Sequence, residues 1–274
     1  MRRKKTNDTP PAMSAAHARY LKQRRRAQAF ITATRYAVLI FLFALWELAA
    51  KLGWIDPFIT SSPGRVLRTI GSLYQSGTLL LHIGVTLYET ILGFVLGTAL
   101  GSLIAALLWW SPTANKMLDP YLVVLNALPK IALGPILIVW MGATNASIIA
   151  MGVLISLVVT ILTVLNGFME TGQEKQLLMR TLGARKAQIF TKVVLPASVP
   201  TMMAALKLSV GMTWVGVIVG EYLVSKAGLG YLIVYGGQVF KLDLVMASTF
   251  ILCALAAGMY FLVALTEKLV IRWK

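Results

Sequence analysis

Four ionisable side chains interrupt long apolar stretches of this sequence, and they are the first candidates for chemistry. They are Glu89, Lys130, Lys207 and Glu221. An ionisable residue at membrane depth is costly, and it commonly belongs to a substrate or ion pathway. The alternative is that each side chain pairs with a neighbour or extends its charged end to the membrane surface.

Lys207 is the strongest of these candidates for facing a path. It lies about 16 Å into a helix that begins near Pro196. Glu221, near the other end of the same helix, is a candidate for a gate, and Met212 and Trp214 are candidates for path-lining residues. Methionine and tryptophan also pack between helices in lipid, so packing is the competing interpretation of both. The alternative for Glu89 and Lys130 is a structural pair or an interfacial position.

The residues that usually perform catalysis or bind metals are sparse. Cys253 is the only cysteine, so an intrachain disulfide and a cysteine-based zinc site are excluded. His17 and His82 are far apart, and we expect no metal site. The phosphate-binding pattern G-x-x-x-x-G-K-[ST] is absent from the sequence. We therefore expect a non-catalytic chain, with any ATP hydrolysis performed by a partner.

The composition predicts an integral membrane protein. Of the 274 residues, 58% are hydrophobic and 13% are charged, whereas soluble domains carry roughly 25% charged residues. Apolar runs interrupted by turns predict six transmembrane helices, near 32–54, 90–115, 120–141, 146–168, 199–223 and 244–266. Residues 1–30 form a basic tail, and residues 31–274 form one all-α transmembrane domain. An amphipathic surface helix is predicted after Pro63, and Gly93, Gly97 and Gly101 form a stripe for close helix packing.

The distribution of basic residues predicts the orientation. Ten of the 26 Lys and Arg residues lie within residues 1–35, and five more lie within 170–192. Basic residues next to transmembrane helices are retained in the cytoplasm, so both termini are predicted to be cytoplasmic. The opposite side then receives Lys51, Arg65, Arg68, Lys226 and Lys241. A basic cluster can also bind nucleic acid, but no recognition motif accompanies it, and we expect no nucleic-acid partner.

The polar loop 170–196 is the most informative segment. A helix is predicted from about Glu174 to Leu182, with Gly183 as its terminator. Leu177, Leu178 and Leu182 then share one face of this helix. Such a face either enters the groove of a partner protein or lies on the core of this chain, and the residues alone leave both possibilities open.

The same loop resembles the signature loop of the permease subunits of ATP-binding cassette (ABC) importers. That signature is Glu-Ala-Ala, three residues, Gly, nine residues and Ile-x-Leu-Pro. Here Leu182-Gly183-Ala184 matches its centre and Val193-Val194-Leu195-Pro196 matches its end. The Glu-Ala-Ala positions hold Leu177-Leu178-Met179 instead, so the usual acidic contact is missing unless Glu174 supplies it.

Further short motifs place the resemblance in the nitrate, sulfonate, taurine and bicarbonate branch of these permeases, and they follow in its usual order over residues 36–274. The motifs are Ser62-Pro63, Gly93-Phe94, Leu118-Asp119-Pro120, Leu128-Pro129, Leu133-Gly134-Pro135, Trp140-Met141-Gly142 and Gly228-Leu229-Gly230-Tyr231. Each motif is weak by itself, whereas the ordered set is specific.

This resemblance implies a type I ABC importer permease (MetI-like) fold in the bacterial inner membrane. It implies a second permease copy, two ATPase subunits that use ATP and Mg, and an extracytoplasmic substrate-binding protein. It also implies transport by alternating access. The implied ATPase contact comprises Glu174, Leu177, Leu178, Met179, Arg180, Leu182, Gly183, Ala184 and Pro196.

The substrate expected from the branch is a small anion such as a sulfonate, taurine, nitrate or bicarbonate. A pyrimidine precursor of thiamine is an alternative, and a riboflavin-like substrate is a more distant one. The main alternative class is a stand-alone secondary carrier, which predicts inverted repeats; the sequence shows no matching halves. A channel or a membrane enzyme is less consistent still, because neither a filter-like loop nor a catalytic cluster is evident.

Overall fold

A computed structural model describes residues 15–271, with the side chains of residues 15–19, 21, 22 and 173 excepted. The first fourteen residues of the predicted basic tail therefore lie outside the described residues. The α-helices are α1 (Ala15–Lys51), α2 (Pro57–Thr60), α3 (Pro63–Gln75), α4 (Thr78–Trp110), α5 (Pro112–Ala127), α6 (Gly134–Met141), α7 (Asn145–Met169), α8 (Gln173–Thr181), α9 (Lys186–Ile189), α10 (Leu195–Val224), α11 (Leu229–Gln238) and α12 (Leu242–Val270). A 3₁₀ turn, Lys130–Leu133, precedes α6, and a π turn, Phe190–Val194, precedes α10.

The chain forms two compact units that divide after Gly64. In the first unit, α1 begins upstream of the predicted first span, and its apolar part runs from Gln23 to Lys51. Glu47 of this helix contacts Lys51 at 3.2 Å and accepts a hydrogen bond from the backbone N–H of Gly64 at 2.9 Å. The carboxylate thereby connects α1 to the start of α3 within this unit.

The second unit contains four long apolar helices: α4, α7, the continuous stretch from Lys186 to Val224, and α12. The helices α7 and α12 lie where they were predicted. The helix α4 occupies 78–110 and not the predicted 90–115, and the third stretch begins at Lys186 and not near 199. Together with the apolar part of α1, five helices among residues 15–271 are long and apolar enough to cross a membrane. A pair of shorter helices with a sharp bend between them brings the number of spans to as many as six, if the pair is treated as a single span.

That bent pair replaces the single kinked helix predicted for residues 120–141. The structure instead has α5, then a break at Leu128–Pro129, then the 3₁₀ turn and α6, with a bend of 89°. Leu128 adopts an extended conformation (φ −62°, ψ 139°). The residue before a proline is disfavoured in the helical region, and proline cannot donate a backbone hydrogen bond. The prediction of one helix was therefore wrong at this position.

The predicted glycine stripe packs α4 closely against α7. A Cβ atom placed on Gly101 would lie 2.7 Å from the Cβ of Thr160, and one on Gly97 would overlap the side chain of Ser156. The helix α7 also crosses α10 at Gly152 and Gly216, where the backbones themselves meet. Small residues permit such approach, from which helices in lipid gain packing energy.

The start of α10 is wound more loosely than an ordinary helix. The N–H of Leu195 donates to the carbonyl oxygen of Phe190, five residues earlier. Pro196 follows directly; it has no N–H, and its ring would crowd the carbonyl of Lys192 in a regular helix. The wider π turn accommodates this proline, and the helix then continues unbroken to Val224.

Candidate functional site

The helix α8 confirms the prediction for the polar loop, and its end is shaped by Gly183. This glycine has φ +79°, a conformation that glycine adopts readily. Its N–H donates to the carbonyl of Arg180 at 2.9 Å, and the N–H of Ala184 donates to Met179 at 2.9 Å. These bonds close the last turn, so the chain reverses sharply after α8.

The two sides of α8 have different surroundings. Met179 and Ala184 pack against a core cluster that includes Phe168, Ile189 and Val194. The leucines face outward, with Leu177 62%, Leu178 60% and Leu182 73% exposed. Of the two possibilities that the sequence left open, the core of this chain therefore does not cover the leucines.

Charged residues and a cavity border this apolar face. Glu174 lies in the first turn of α8 and Arg180 in its last, both exposed. Both line a cavity of about 600 Å³ together with Trp109, Pro112, Met169, Gln176, Leu177 and Lys186. Pro196 lies apart from the cavity, in the first turn of α10.

An aromatic cluster that was not predicted connects the end of α4 to α9. The Nζ of Lys186 lies 5.6 Å from the ring centre of Trp109 and 5.9 Å from that of Trp110. The ring of Phe190 lies 4.9 Å from Trp109 and 5.4 Å from Phe168. The segment that carries α8 is thus fixed to α4 and α7. The adjacent tryptophans and the basic residue were visible in the sequence, but their proximity was not.

A second polar group lies at the other end of α10. Three side chains there accept hydrogen bonds from the first backbone N–H groups of α11. Gly228 N–H donates to His82 Nδ1 at 3.0 Å. Leu229 N–H donates to Thr86 Oγ1 at 2.8 Å, and Gly230 N–H donates to Glu221 Oε2 at 2.6 Å. These N–H groups have no partners within α11 itself, so α4 and α10 together cap this helix.

This arrangement explains the glycines of the Gly228-Leu229-Gly230-Tyr231 motif. Gly228 has φ +120°, and a Cβ atom there would collide with the carboxyl group of Glu221. A Cβ atom on Gly230 would lie 2.8 Å from the Cβ of Glu221. The motif therefore provides room for one buried carboxyl group beside the start of α11.

The remaining predicted path residues differ in their exposure and in their partners. Glu89, Trp214 and Glu221 are buried, with exposures of 0%, 3% and 1%. Met212 is 38% exposed. The ammonium group of Lys207 pairs with Glu267 of α12, and that of Lys130 lies 3.1 Å from the carbonyl oxygen of Asn126. Glu89 and Lys130 therefore do not form the structural pair that was one alternative for them, since neither oxygen of Glu89 has a hydrogen-bond partner among the described residues. Whether any of these side chains faces a path stays a prediction.

The roles of His82 and Thr86 were missed by sequence reasoning. Both lie on α4 with Glu89 and Thr90, at a spacing that places them on one side of the helix, and all four are buried. Polar residues at this spacing on an otherwise apolar helix were the available signal. Their backbone partners lie more than 140 positions away in sequence, which no local pattern indicates.

Comparison with known proteins identifies the family. Residues 97–272 match the family described as "Binding-protein-dependent transport system inner membrane component". An ABC transporter permease protein of Haemophilus influenzae is 34% identical over 80% of this chain and 89% of its own length. The chain therefore belongs to the permease subunits of binding-protein-dependent ABC importers, as the resemblance implied.

Other relatives place the chain within the predicted branch. A Bacillus subtilis permease named for aliphatic sulfonate transport is 29% identical over 85% of this chain and 84% of its own length. A Halalkalibacterium halodurans permease named for formylaminopyrimidine transport is 28% identical over 86% and 93%. In fold, this chain is similar to a chain of the MetNI methionine ABC transporter in inward-facing conformations. The TM-score is 0.60, and the identity is 19% over 68% of this chain and 93% of that chain.

Proposed function

We propose that this permease forms the substrate path of an ATP-driven importer and couples to its ATPase through the exposed leucine face of α8. The observation that carries the proposal is the exposure of Leu177, Leu178 and Leu182 on a helix whose opposite side is fixed to the core. Apolar side chains at this spacing form a helix face that fits a groove of a partner protein.

The partner required by this proposal is an ABC ATPase subunit that uses ATP and Mg. Two such subunits would bind two permease copies, and the permease copies would form a homodimer. An extracytoplasmic binding protein would deliver the substrate. The ATPase binds on the cytoplasmic side, so α8 would face the cytoplasm and the N-terminus would lie on that same side of the bacterial inner membrane.

Alternating access provides the mechanism. When the two ATPase subunits close on ATP, α8 moves with the groove that holds it. The motion passes to the bundle through the aromatic contacts of Phe190 and through the continuous helix α10. ATP drives this change only to the extent that it binds the closed state better than the open one. The candidates for path-lining residues remain Lys207, Met212, Trp214, Glu221, Lys130 and Glu89.

The proposed docking surface differs from that of the family signature, because the acidic residue of the signature is missing. Leucines occupy the exposed positions, and Glu174 lies at the first turn of α8, three residues before Leu177. We propose that docking rests mainly on apolar burial, and that Glu174 takes the role of the signature glutamate. The groove of the partner ATPase would then be lined by apolar side chains with a cation at one edge.

The proposed substrate is a small anion of the sulfonate class. Support comes from the sulfonate-named relative and from Lys207, a basic side chain within the apolar helix α10 that is about one quarter exposed. The formylaminopyrimidine-named relative, at nearly the same identity, makes a thiamine-precursor pyrimidine the second candidate. Uptake of labelled sulfonate and of labelled formylaminopyrimidine by cells that express the complete importer distinguishes the two substrates.

The decisive test of coupling is co-purification of the permease with its ATPase in detergent. Replacement of Leu178 and Leu182 by aspartate should abolish the complex, because two charges would enter an apolar interface. The matched control is Leu67→Asp, which alters an equally exposed leucine (69%) on α3. Since α3 lies at the opposite end of α4 from Trp110, this variant should retain the ATPase.

Retention of the ATPase by the double variant would contradict docking through the leucine face. If the unaltered chain never binds an ATPase, and vesicles containing it alone accumulate substrate without ATP, the secondary-carrier alternative replaces the coupled importer. Size-exclusion chromatography of each purified protein verifies independently that it is folded, so a failure to bind is not a failure to fold.

A further inference from the structure

Glu89 and Glu221 form a pair of carboxyl groups inside the protein, at the end of the bundle opposite α8. Glu89 is fully buried, and Glu221 is 1% exposed. The separation from the start of α10 to Glu221 is about 39 Å along the helix. Neither carboxyl group is needed for the docking of an ATPase, so the pair calls for a separate explanation.

The two groups have unequal surroundings. Glu221 Oε2 accepts the N–H of Gly230 at 2.6 Å, and the N–H of Tyr231 and the hydroxyl of Thr86 also lie next to this carboxyl group. It lies at the N-terminus of α11, where the helix dipole favours negative charge. Several donors and a favourable field thus stabilise Glu221 as a carboxylate.

Glu89 has none of this support. Among the residues that the structure describes, neither of its oxygens has a hydrogen-bond donor, and Glu221 Oε1 has none either. Yet the two carboxyl groups are adjacent, close enough for a hydrogen bond between them. Two carboxylates cannot form that bond, because both only accept; a carboxylic acid and a carboxylate can.

We propose that Glu89 is a proton-binding site: it holds a proton and donates it to Glu221 Oε1, which closes a carboxyl–carboxylate bond between α4 and α10. One proton satisfies the otherwise unpartnered oxygen of Glu221 and removes one of two adjacent buried charges, which could not both persist at such short range. The protonated pair then completes the cap on α11, alongside the contacts from His82 and Thr86.

The other titratable groups near the pair do not compensate its charge. On α4, His82 accepts a hydrogen bond at Nδ1, so that nitrogen carries no proton. Tyr222 follows Glu221 on α10, and Tyr231 and Tyr235 lie on α11. Lys226 in the connecting turn is exposed, and Asp243 at the start of α12 pairs with Arg65 of α3. The helix α7 carries no ionisable side chain.

Infrared spectroscopy of the purified permease tests the proposal, and it needs no ATPase or substrate. At neutral pH, the protein should show the carbonyl band of a protonated carboxylic acid. Glu89→Gln should remove this band, and Glu221→Gln should shift it, because the acceptor of the proton changes. The control Glu170→Gln alters an exposed glutamate at the end of α7 and should leave the band unchanged.

The pH dependence of stability is the second readout. The folded protein would hold a proton that the unfolded chain releases above about pH 4.3, the ordinary pKa of a glutamate, so stability should fall as pH rises above that value while Glu89 stays protonated in the folded protein. Glu89→Gln donates the same hydrogen bond without titrating. Between about pH 5 and about pH 7, the folding equilibrium of the unaltered protein should therefore fall by up to about tenfold per pH unit relative to this variant.

An unaltered band in Glu89→Gln would overturn the proposal, and so would identical pH profiles for this variant and the unaltered protein. The side of the membrane assigned to the pair depends on the proposed function. The protonation of Glu89 does not depend on it. A permease that shows the band but fails to bind an ATPase would retain the proton-binding site and lose the coupling proposal.

Discussion

At the scale of single residues, Lys207 shows how one side chain admits two roles. It lies within the apolar helix α10 and pairs with Glu267 of α12, and both side chains are about one quarter exposed. The pair connects two helices of the bundle. Because Lys207 is partly exposed, its ammonium group can also contact an anion in the substrate path, which is the role predicted for it from the sequence.

Exchange of the two charges separates these roles. Lys207→Glu places two carboxylates together and should lower the yield of folded permease in detergent, whereas the double variant Lys207→Glu/Glu267→Lys should recover it. Transport by the complete importer should also recover if the pair is only structural. A folded double variant without transport would indicate that the lysine must lie at position 207. Failure of the exchange to restore folding would contradict a simple ion pair.

At the scale of elements, the crossing of α7 and α10 depends on the absence of side-chain atoms. A Cβ atom on Gly216 would lie 2.7 Å from the Cα of Gly152 and 2.7 Å from the carbonyl oxygen of Met151. These are backbone atoms, which cannot move aside like the end of a flexible side chain. The helices would have to separate.

We therefore expect Gly216→Ala to destabilise the permease by about 1–3 kcal/mol, the usual cost of overpacking. Gly211→Ala on the same helix is the matched control, because nothing lies within 4 Å of the added atom. The midpoint of thermal unfolding in detergent should fall for the first variant and stay level or rise slightly for the second. Equal midpoints would refute the close backbone contact.

The elements also show what the sequence could and could not predict. The bounds of α7 were predicted to within a residue or two, because Gly142 and Asn145 break a long apolar run and the polar loop ends it. The same kind of pattern failed at Leu128–Pro129, since a kinked helix and a broken pair share one sequence signature. The face of α8 was predictable, but its exposure was not, because exposure depends on which core residues lie behind it.

At the scale of the whole molecule, the orientation in the membrane is testable with the lone cysteine as a starting point. Cys253 is exposed on α12, so Cys253→Ser provides a background without cysteines. Ser76→Cys, between α3 and α4, and Thr181→Cys, at the end of α8, both introduce exposed thiols. They lie at opposite ends of the bundle, because α4 spans the distance between them.

A maleimide that cannot cross membranes should label Ser76→Cys in intact cells. It should label Thr181→Cys only after the cells are opened, because α8 must meet an ATPase in the cytoplasm. The reverse pattern would invert the predicted topology, and labelling of both positions in intact cells would be incompatible with a single span for α4.

The π turn at Phe190–Val194 has a consequence for how the length of this polypeptide can vary. A π turn is an α-helix with one additional residue accommodated as a local bulge. Deletion of one residue within this turn would keep the faces on both sides aligned, but it would also place Pro196 in an ordinary helix, where its ring crowds the preceding turn. A deletion elsewhere in α10 would rotate all that follows by about 100°. Gene variants that lack one codon in this turn should therefore survive when the proline is replaced as well, whereas one-codon deletions along the rest of the helix should be eliminated.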